Sequence, residues 1–106
     1  MPCIVYGFYL MEEQITQAIS QVQLISFYYQ NLPRIAEPHI LGVCNGVTQM
    51  LVYQTGGQSK SGRLPDWRRV NIREISDLKV LDETFAGQRT VSGKHSSWDS
   101  HLAIVA

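Results

Sequence analysis

Between Gln23 and Asp82, runs of β-forming residues are separated by short stretches rich in Gly, Pro, Asn and Asp. That pattern predicts an antiparallel β domain. The first run is Gln23 to Tyr29, carrying Leu24, Ile25, Phe27, Tyr28 and Tyr29. Asn31-Leu32-Pro33 then reads as a turn, and Arg34 to Cys44 as a long second strand. Pro38 donates no ladder hydrogen bond, so this strand bends, bulges or lies at an edge there. Asn45-Gly46 marks a tight hairpin, because both residues tolerate the left-handed backbone such a turn needs. Thr48 to Thr55 returns as the third strand, and Gly56 to Asp66 forms a loop. Trp67 to Arg73 is the fourth strand, Glu74 to Asp77 a short turn, and Leu78 to Asp82 the fifth strand. In the fourth strand the two-residue period puts Val70 and Ile72 on one face and Trp67, Arg69, Asn71 and Arg73 on the other.

Ahead of the strands, Ile15, Ala18, Ile19 and Val22 recur at helical spacing and predict a helix over 12–21. Glu12 and Glu13 suit its positive N-terminal end. Residues 1–11 either belong to the natural protein or extend it ahead of Met11, and they are too short a run to span a membrane. After Gly87 the chain is polar and Gly/Ser-rich until the apolar run Leu102 to Val105, which docks on the core or on a second subunit. The expected fold is one mainly β domain over 1–106, with its core in 12–85 and a C-terminal tail over 86–106. It consists of an N-terminal helix followed by a five-stranded antiparallel barrel, whose closure removes exposed strand edges.

Charge narrows the functional classes. Nine basic and nine acidic residues cancel, which argues against a wholly electrostatic coat for nucleic acid or membrane. The charges are nonetheless segregated: Lys60, Arg63, Arg68, Arg69 and Arg73 face only Asp66 between 60 and 73, and acids dominate from Glu74 to Glu83. The two cysteines, Cys3 and Cys44, with no secretion signal ahead of them, predict reduced thiols and a cytoplasmic protein.

The pattern RIAEPHILGVCNGVTQMLVYQTGG, a loop, and then DWRRVNIREISDLKVLDETF resembles a WYL domain over roughly residues 12–85. The match lies in Glu37-Pro38, Trp67-Arg68, Ile75 and the strand leading to Phe85. The family's Trp-Tyr-Leu signature falls on Gln49-Met50-Leu51, and two of its ligand-contacting arginines fall on Asn71 and Glu74. The resemblance implies an Sm-like, SH3-type barrel. It also implies a regulatory module of bacteria that senses a ligand, often nucleotide or nucleic acid, and that occurs as a domain standing alone.

Read residue by residue, the loop from Gly56 to Arg63 is the leading candidate for binding. Its glycines let backbone N–H groups approach an anion, and Lys60 and Arg63 supply charge. Trp67, Arg68 and Arg69 follow closely enough to suggest phosphate binding with base stacking; a solvated hairpin loop explains the same residues. Tyr53 and Trp67 are either stacking platforms or barrel-filling aromatics. Arg69, Asn71 and Arg73 either line a polar groove or form the wet side of a strand. Glu37 and His39 share a strand face and make either an acid–base pair or a structural hydrogen bond. His95, Asp99 and His101 follow no established zinc spacing, and Gly87 to Lys94 departs from the phosphate-loop pattern in spacing and in carrying His95 where Ser or Thr is needed. No metal site, no cofactor and no catalytic residue is assigned.

These readings converge on a non-catalytic ligand-binding module for nucleotide or single-stranded nucleic acid. Its candidate ligand-binding residues are His39, Tyr53, Lys60, Arg63, Trp67, Arg68, Arg69 and Arg73. The alternative is a structural module that self-associates as a homodimer or higher homo-oligomer, and a small hydrolase using Glu37 and His39 ranks behind both. No membrane partner is expected.

Overall fold

The computed structural model describes residues 3–60, 62–89 and 97–106, with side chains from Leu10 onward. The order is helix α1 (Cys3–Ser20), strands β1 (Gln23–Tyr29), β2 (Leu32–Cys44), β3 (Val47–Gly57) and β4 (Asp66–Asn71), a 3-10 turn (Ile72–Glu74), then β5 (Ile75–Thr84) and β6 (Ser100–Ile104). The helix therefore begins well before Met11. It ends where Val22 adopts a left-handed backbone, φ 49°, and its carbonyl accepts the Phe85 N–H at 2.9 Å. Val22, which continues the helical spacing of Ile15, Ala18 and Ile19, is thus the residue that turns the chain into β1.

Ile15, Ala18 and Ile19 form the buried face of α1, packed on Ile25, Phe27, Ala36, Leu41, Met50, Val52, Val70 and Ile72. Burying each of the larger of these side chains contributes about 1.5–3 kcal/mol. Both hairpin turns are two residues long with positive φ throughout, at Gln30-Asn31 (55° and 61°) and at Asn45-Gly46 (53° and 77°). Their twist matches that of the strands they join. The first replaces the expected turn at Asn31-Leu32-Pro33, since Leu32 and Pro33 already pair with Tyr29 and Tyr28.

The sheet differs from the expected barrel in two ways. It has six strands, and it is not closed: hydrogen bonding follows the path β4-β3-β2-β1-β5, so β4 and β5 end it. The sixth strand comes from the tail. β6 pairs with β2, and Val105 beyond it is buried in the core, so the apolar C-terminal run docks on its own domain. This pairing is possible because β2 changes partner along one edge. Leu32 to Ala36 pair with β1, and Ile40 to Val43 pair with β6. Pro38 falls in the gap between them, where no neighbour on that side needs its missing N–H. β3 follows β2 along its other edge from Arg34 to Cys44, with a register shift between Pro38 and Ile40 that accommodates His39 as an extra residue.

Ala36 to Gly42 is a continuous buried run, because this part of β2 is covered on both faces. The core lies on one face. On the other lie Arg89 and Trp98, and Gly42 leaves the space that Trp98 occupies: a Cβ there would sit 2.8 Å from the indole and 2.6 Å from the Ser100 carbonyl oxygen. No helix among the described residues is long and apolar enough to cross a membrane.

Candidate functional site

Register divides the candidate residues between the two faces of the sheet. Glu37, Tyr53 and Trp67 are cross-strand neighbours in one row, with Arg69 and Asn71 further along the same face of β4. Arg68, between Trp67 and Arg69, points to the opposite face together with Val70. Trp67 and Arg68, adjacent in sequence, therefore lie on opposite faces of the sheet.

The first face carries a closed aromatic and ionic cluster. His39 is 1% exposed and lies against Trp67 (ring centroids 4.9 Å) and Phe85 (5.3 Å), and Tyr53 meets Trp67 edge-on at 5.1 Å. Glu37 Oε1 lies 3.1 Å from His39 Nε2. Arg89 clamps the same carboxylate, Nε donating to Oε1 at 2.7 Å and a terminal nitrogen donating to Oε2 at 2.9 Å, while its guanidinium covers the Tyr53 ring at 4.2 Å. Burial pushes the Glu37 pKa up, but the hydrogen bonds from Arg89 and His39 outweigh it and hold the carboxyl below its ordinary range. Burial also lowers the His39 pKa, against the opposing pull of Glu37. His39 Nδ1 has no hydrogen-bond partner among the described residues. Arg89, which no sequence argument singled out, is the residue that turns the Glu37–His39 pair into a packed cluster.

Arg69 lies on this face too. Its guanidinium stacks 3.9 Å over Trp98, donates to the Ser97 carbonyl oxygen at 3.1 Å and approaches Cys44 Sγ at 3.5 Å. Asp99 Oδ2 accepts the Gly46 N–H at 3.1 Å, which commits it to the hairpin turn, and His101 lies edge-on to Trp98. His95 and most of the Gly87–Lys94 segment lie outside the described residues, and among the described residues no three potential ligands gather as a metal site. Gln49, Asn71 and Glu74, where the WYL signature and its arginines fall, form a hydrogen-bonded chain: Gln49 Nε2 donates to Asn71 Oδ1 at 2.8 Å and Asn71 Nδ2 to Glu74 Oε2 at 2.6 Å.

The other face, at the end of the core, gathers the cations. A hollow of about 230 Å³ is bordered by Tyr29, Gln30, Arg34, Ser59, Lys60, Arg68, Arg69 and Val70. Three of these, Lys60, Arg68 and Arg69, are candidates from the sequence; Arg34 is new. Arg34 follows the turn between β1 and β2, on the same strand face as core residue Ala36, and it is 3% exposed. All its hydrogen-bond partners among the described residues are neutral: the Tyr29 carbonyl oxygen (3.3 and 3.4 Å), Gln54 Oε1 (3.2 Å) and Gln30 Oε1 (3.4 Å). Its guanidinium also lies 5.1 Å from the centre of the Tyr29 ring. No carboxylate pairs with it among the described residues. Burial, reinforced by the Arg68 charge, lowers its pKa, yet an arginine stays charged at neutral pH.

Arg68 completes the hollow. It pairs with Asp66 at 3.0 Å and donates to Ser59 Oγ at 3.2 Å and to the Arg63 carbonyl oxygen at 2.9 Å. The Trp67 N–H and Arg68 together hold the Asp66 pKa down. The loop is pinned beside Arg34 through Gly57, where φ is +81° and a Cβ would lie 2.3 Å from the Pro33 carbonyl oxygen. That same oxygen accepts the Gln58 N–H at 2.7 Å. Arg63 and Arg73 are exposed and do not border the hollow. Comparison with protein-family models, with curated proteins and with solved structures returned no match.

Proposed function

We propose that the chain is a non-catalytic binding module whose site is the hollow between Arg34, Lys60 and Arg68, and that its ligand is phosphorylated: a nucleotide or single-stranded nucleic acid. The observation that carries this reading is Arg34, a buried cation with only neutral partners. A buried charge is costly unless an opposite charge compensates it. An anion seated in the hollow would supply that compensation, with Lys60 and Arg68 beside it.

The binding reading is preferred to acid–base chemistry because Glu37 is held by Arg89 and His39 is enclosed by rings. A regulatory role of the WYL type belongs to the same proposal. Support for an Sm-like architecture is the leading helix, the strand order β4-β3-β2-β1-β5 and the bend in β2. The ligand contacts proposed differ from the family's, since Gln49, Asn71 and Glu74 bond to one another.

The test is fluorescence anisotropy with labelled single-stranded RNA and DNA across a salt series. Three cations at the site predict that log affinity falls with log salt at a slope of about −2. Lys60→Glu should weaken binding at low salt. Binding that ignores both salt and Lys60→Glu rules the site out.

Self-association is the second reading, favoured by β6. That strand pairs on one side only among the described residues, and Leu102 and Ile104 are each 51% exposed. Leu102→Glu together with Ile104→Glu should convert an oligomer to monomer by light scattering; a wild type monomeric at every concentration excludes it.

A further inference from the structure

Three features of the hollow specify the end of the ligand it takes. Its volume, about 230 Å³, falls below the roughly 300–1,000 Å³ typical of sites that enclose a whole small ligand. It is bordered by one aromatic ring, Tyr29, which lies beside the Arg34 guanidinium, while Tyr53 and Trp67 are on the opposite face of the sheet. A nucleobase therefore has no stacking partner inside it. Third, no carboxylate borders the hollow. Of the four cationic residues at the border, Arg69 turns its guanidinium away to Trp98; Asp66, paired with Arg68, offsets one of the other three and leaves an excess of two positive charges. Glu74, which raises the Tyr29 pKa together with burial, is outside the border and accepts a hydrogen bond from Asn71.

The donors match that charge. Arg34 has five N–H groups, of which one, on the nitrogen facing Gln54, meets no acceptor among the described residues. Lys60 makes no ion pair with the described residues and adds three more donors at the rim. A phosphate monoester carries close to two negative charges at neutral pH and presents three oxygens at its end. An internal phosphodiester carries one charge and is flanked by a sugar on each side.

We infer that the hollow takes a terminal phosphomonoester, the phosphorylated end of a nucleotide or a single strand, entering phosphate first and leaving the base outside. This rests on the anion-binding reading proposed above and narrows it to one chemical group. Recognition is then indifferent to base identity and sensitive to the state of the strand end.

The experiment is a competition measured by anisotropy with a labelled, 5′-phosphorylated single-stranded decamer. The competitors are the same sequence unlabelled with a 5′-phosphate, a 3′-phosphate or hydroxyls at both ends, a second sequence with a 5′-phosphate, and a nucleoside with and without its phosphate. Losing the terminal phosphate should weaken competition at least about tenfold, the value of one hydrogen bond to a charged group. The 5′ and 3′ arms show which end supplies the group, and changing the sequence should have no effect. Lys60→Gln and, separately, Arg68→Gln should shrink the difference between phosphorylated and hydroxyl ends; the rim position of Lys60 keeps one variant clear of the core. Equal competition by phosphorylated and hydroxyl ends, with salt-sensitive binding retained, overturns the terminal-phosphate inference and leaves the anion site standing. Absence of binding by every phosphate-bearing probe removes both.

Discussion

Arg34→Gln separates a residue kept for folding from one kept for a ligand. Burying an unpaired ion costs several kcal/mol even after relaxation. The hydrogen bonds that Arg34 makes to Tyr29, Gln30 and Gln54 return about 1.5–3 kcal/mol each when donated by a charged group. Glutamine removes the charge and keeps an amide that can donate to Gln54, which is fully buried and would otherwise lose the donor to its Oε1. The gain from discharging the site and the loss of three charge-assisted bonds, each long (3.3–3.4 Å) and therefore at the low end of that range, nearly cancel. Without ligand, the variant should therefore match wild-type stability to within about 1 kcal/mol, roughly 4–8 °C in Tm for a domain of this size. With a 5′-phosphorylated dinucleotide at a hundred times its Kd, wild type gains about 2.7 kcal/mol, or at least about 10 °C, and the variant gains almost nothing. Thermal unfolding followed by circular dichroism reads both quantities. A ligand-free loss above about 3 kcal/mol would make Arg34 a structural residue and refute the reasoning, as would a ligand-induced rise that survives the substitution.

Two further perturbations test the frame around the site. Arg89→Met leaves the buried Glu37 carboxylate to His39 alone and should cost about 1–3 kcal/mol at pH 7, less than for a fully buried pair because the Arg89 side chain is 45% exposed. The wild-type carboxyl titrates below its unfolded value, so its contribution is present above about pH 4.3 and is lost as pH falls through the folded pKa; urea unfolding should show the two proteins converging in acid, and a pH-independent gap would contradict the assignment. Gly57→Ala should cost at least about 2 kcal/mol in the same assay, since it combines a left-handed backbone with a Cβ 2.3 Å from the Pro33 carbonyl oxygen; a change below about 0.5 kcal/mol would mean that the loop is not anchored there.

Local chemistry made much of the fold readable. Asn45-Gly46 forms the hairpin its left-handed residues demand, β1 begins and ends where the run of β-formers does, and Pro38 marks the bend. What depended on distant pairing was not readable. β6 meets β2 some sixty residues away, and an apolar run alone does not choose between its own core and a second copy. At the site, Lys60 and Arg68 stood out as charge, but the two-residue period that separates Val70 from Arg69 also separates Arg68 from Trp67. Arg34 carries no distinguishing motif, because a single arginine after a turn is an ordinary start to a strand. Its parity with Ala36, a core residue, was the available signal that it points inward. Arg89 lies in a segment whose only sequence pattern is a partial likeness to a phosphate loop, and nothing in its neighbours points to Glu37.

The change of partner along β2 also bears on how the domain comes apart. One half of its edge belongs to β1, with β5 beyond; the other belongs to β6 alone. β6 can leave without disturbing a single bond between β1 and β2, and its departure bares the edge from Ile40 to Val43. A β6 from another copy would restore the same ladder bonds on that edge, so exchange of the strand between two molecules sacrifices no pairing. The gap at Pro38 thus makes the C-terminal strand a detachable part, and the domain a candidate for swapping.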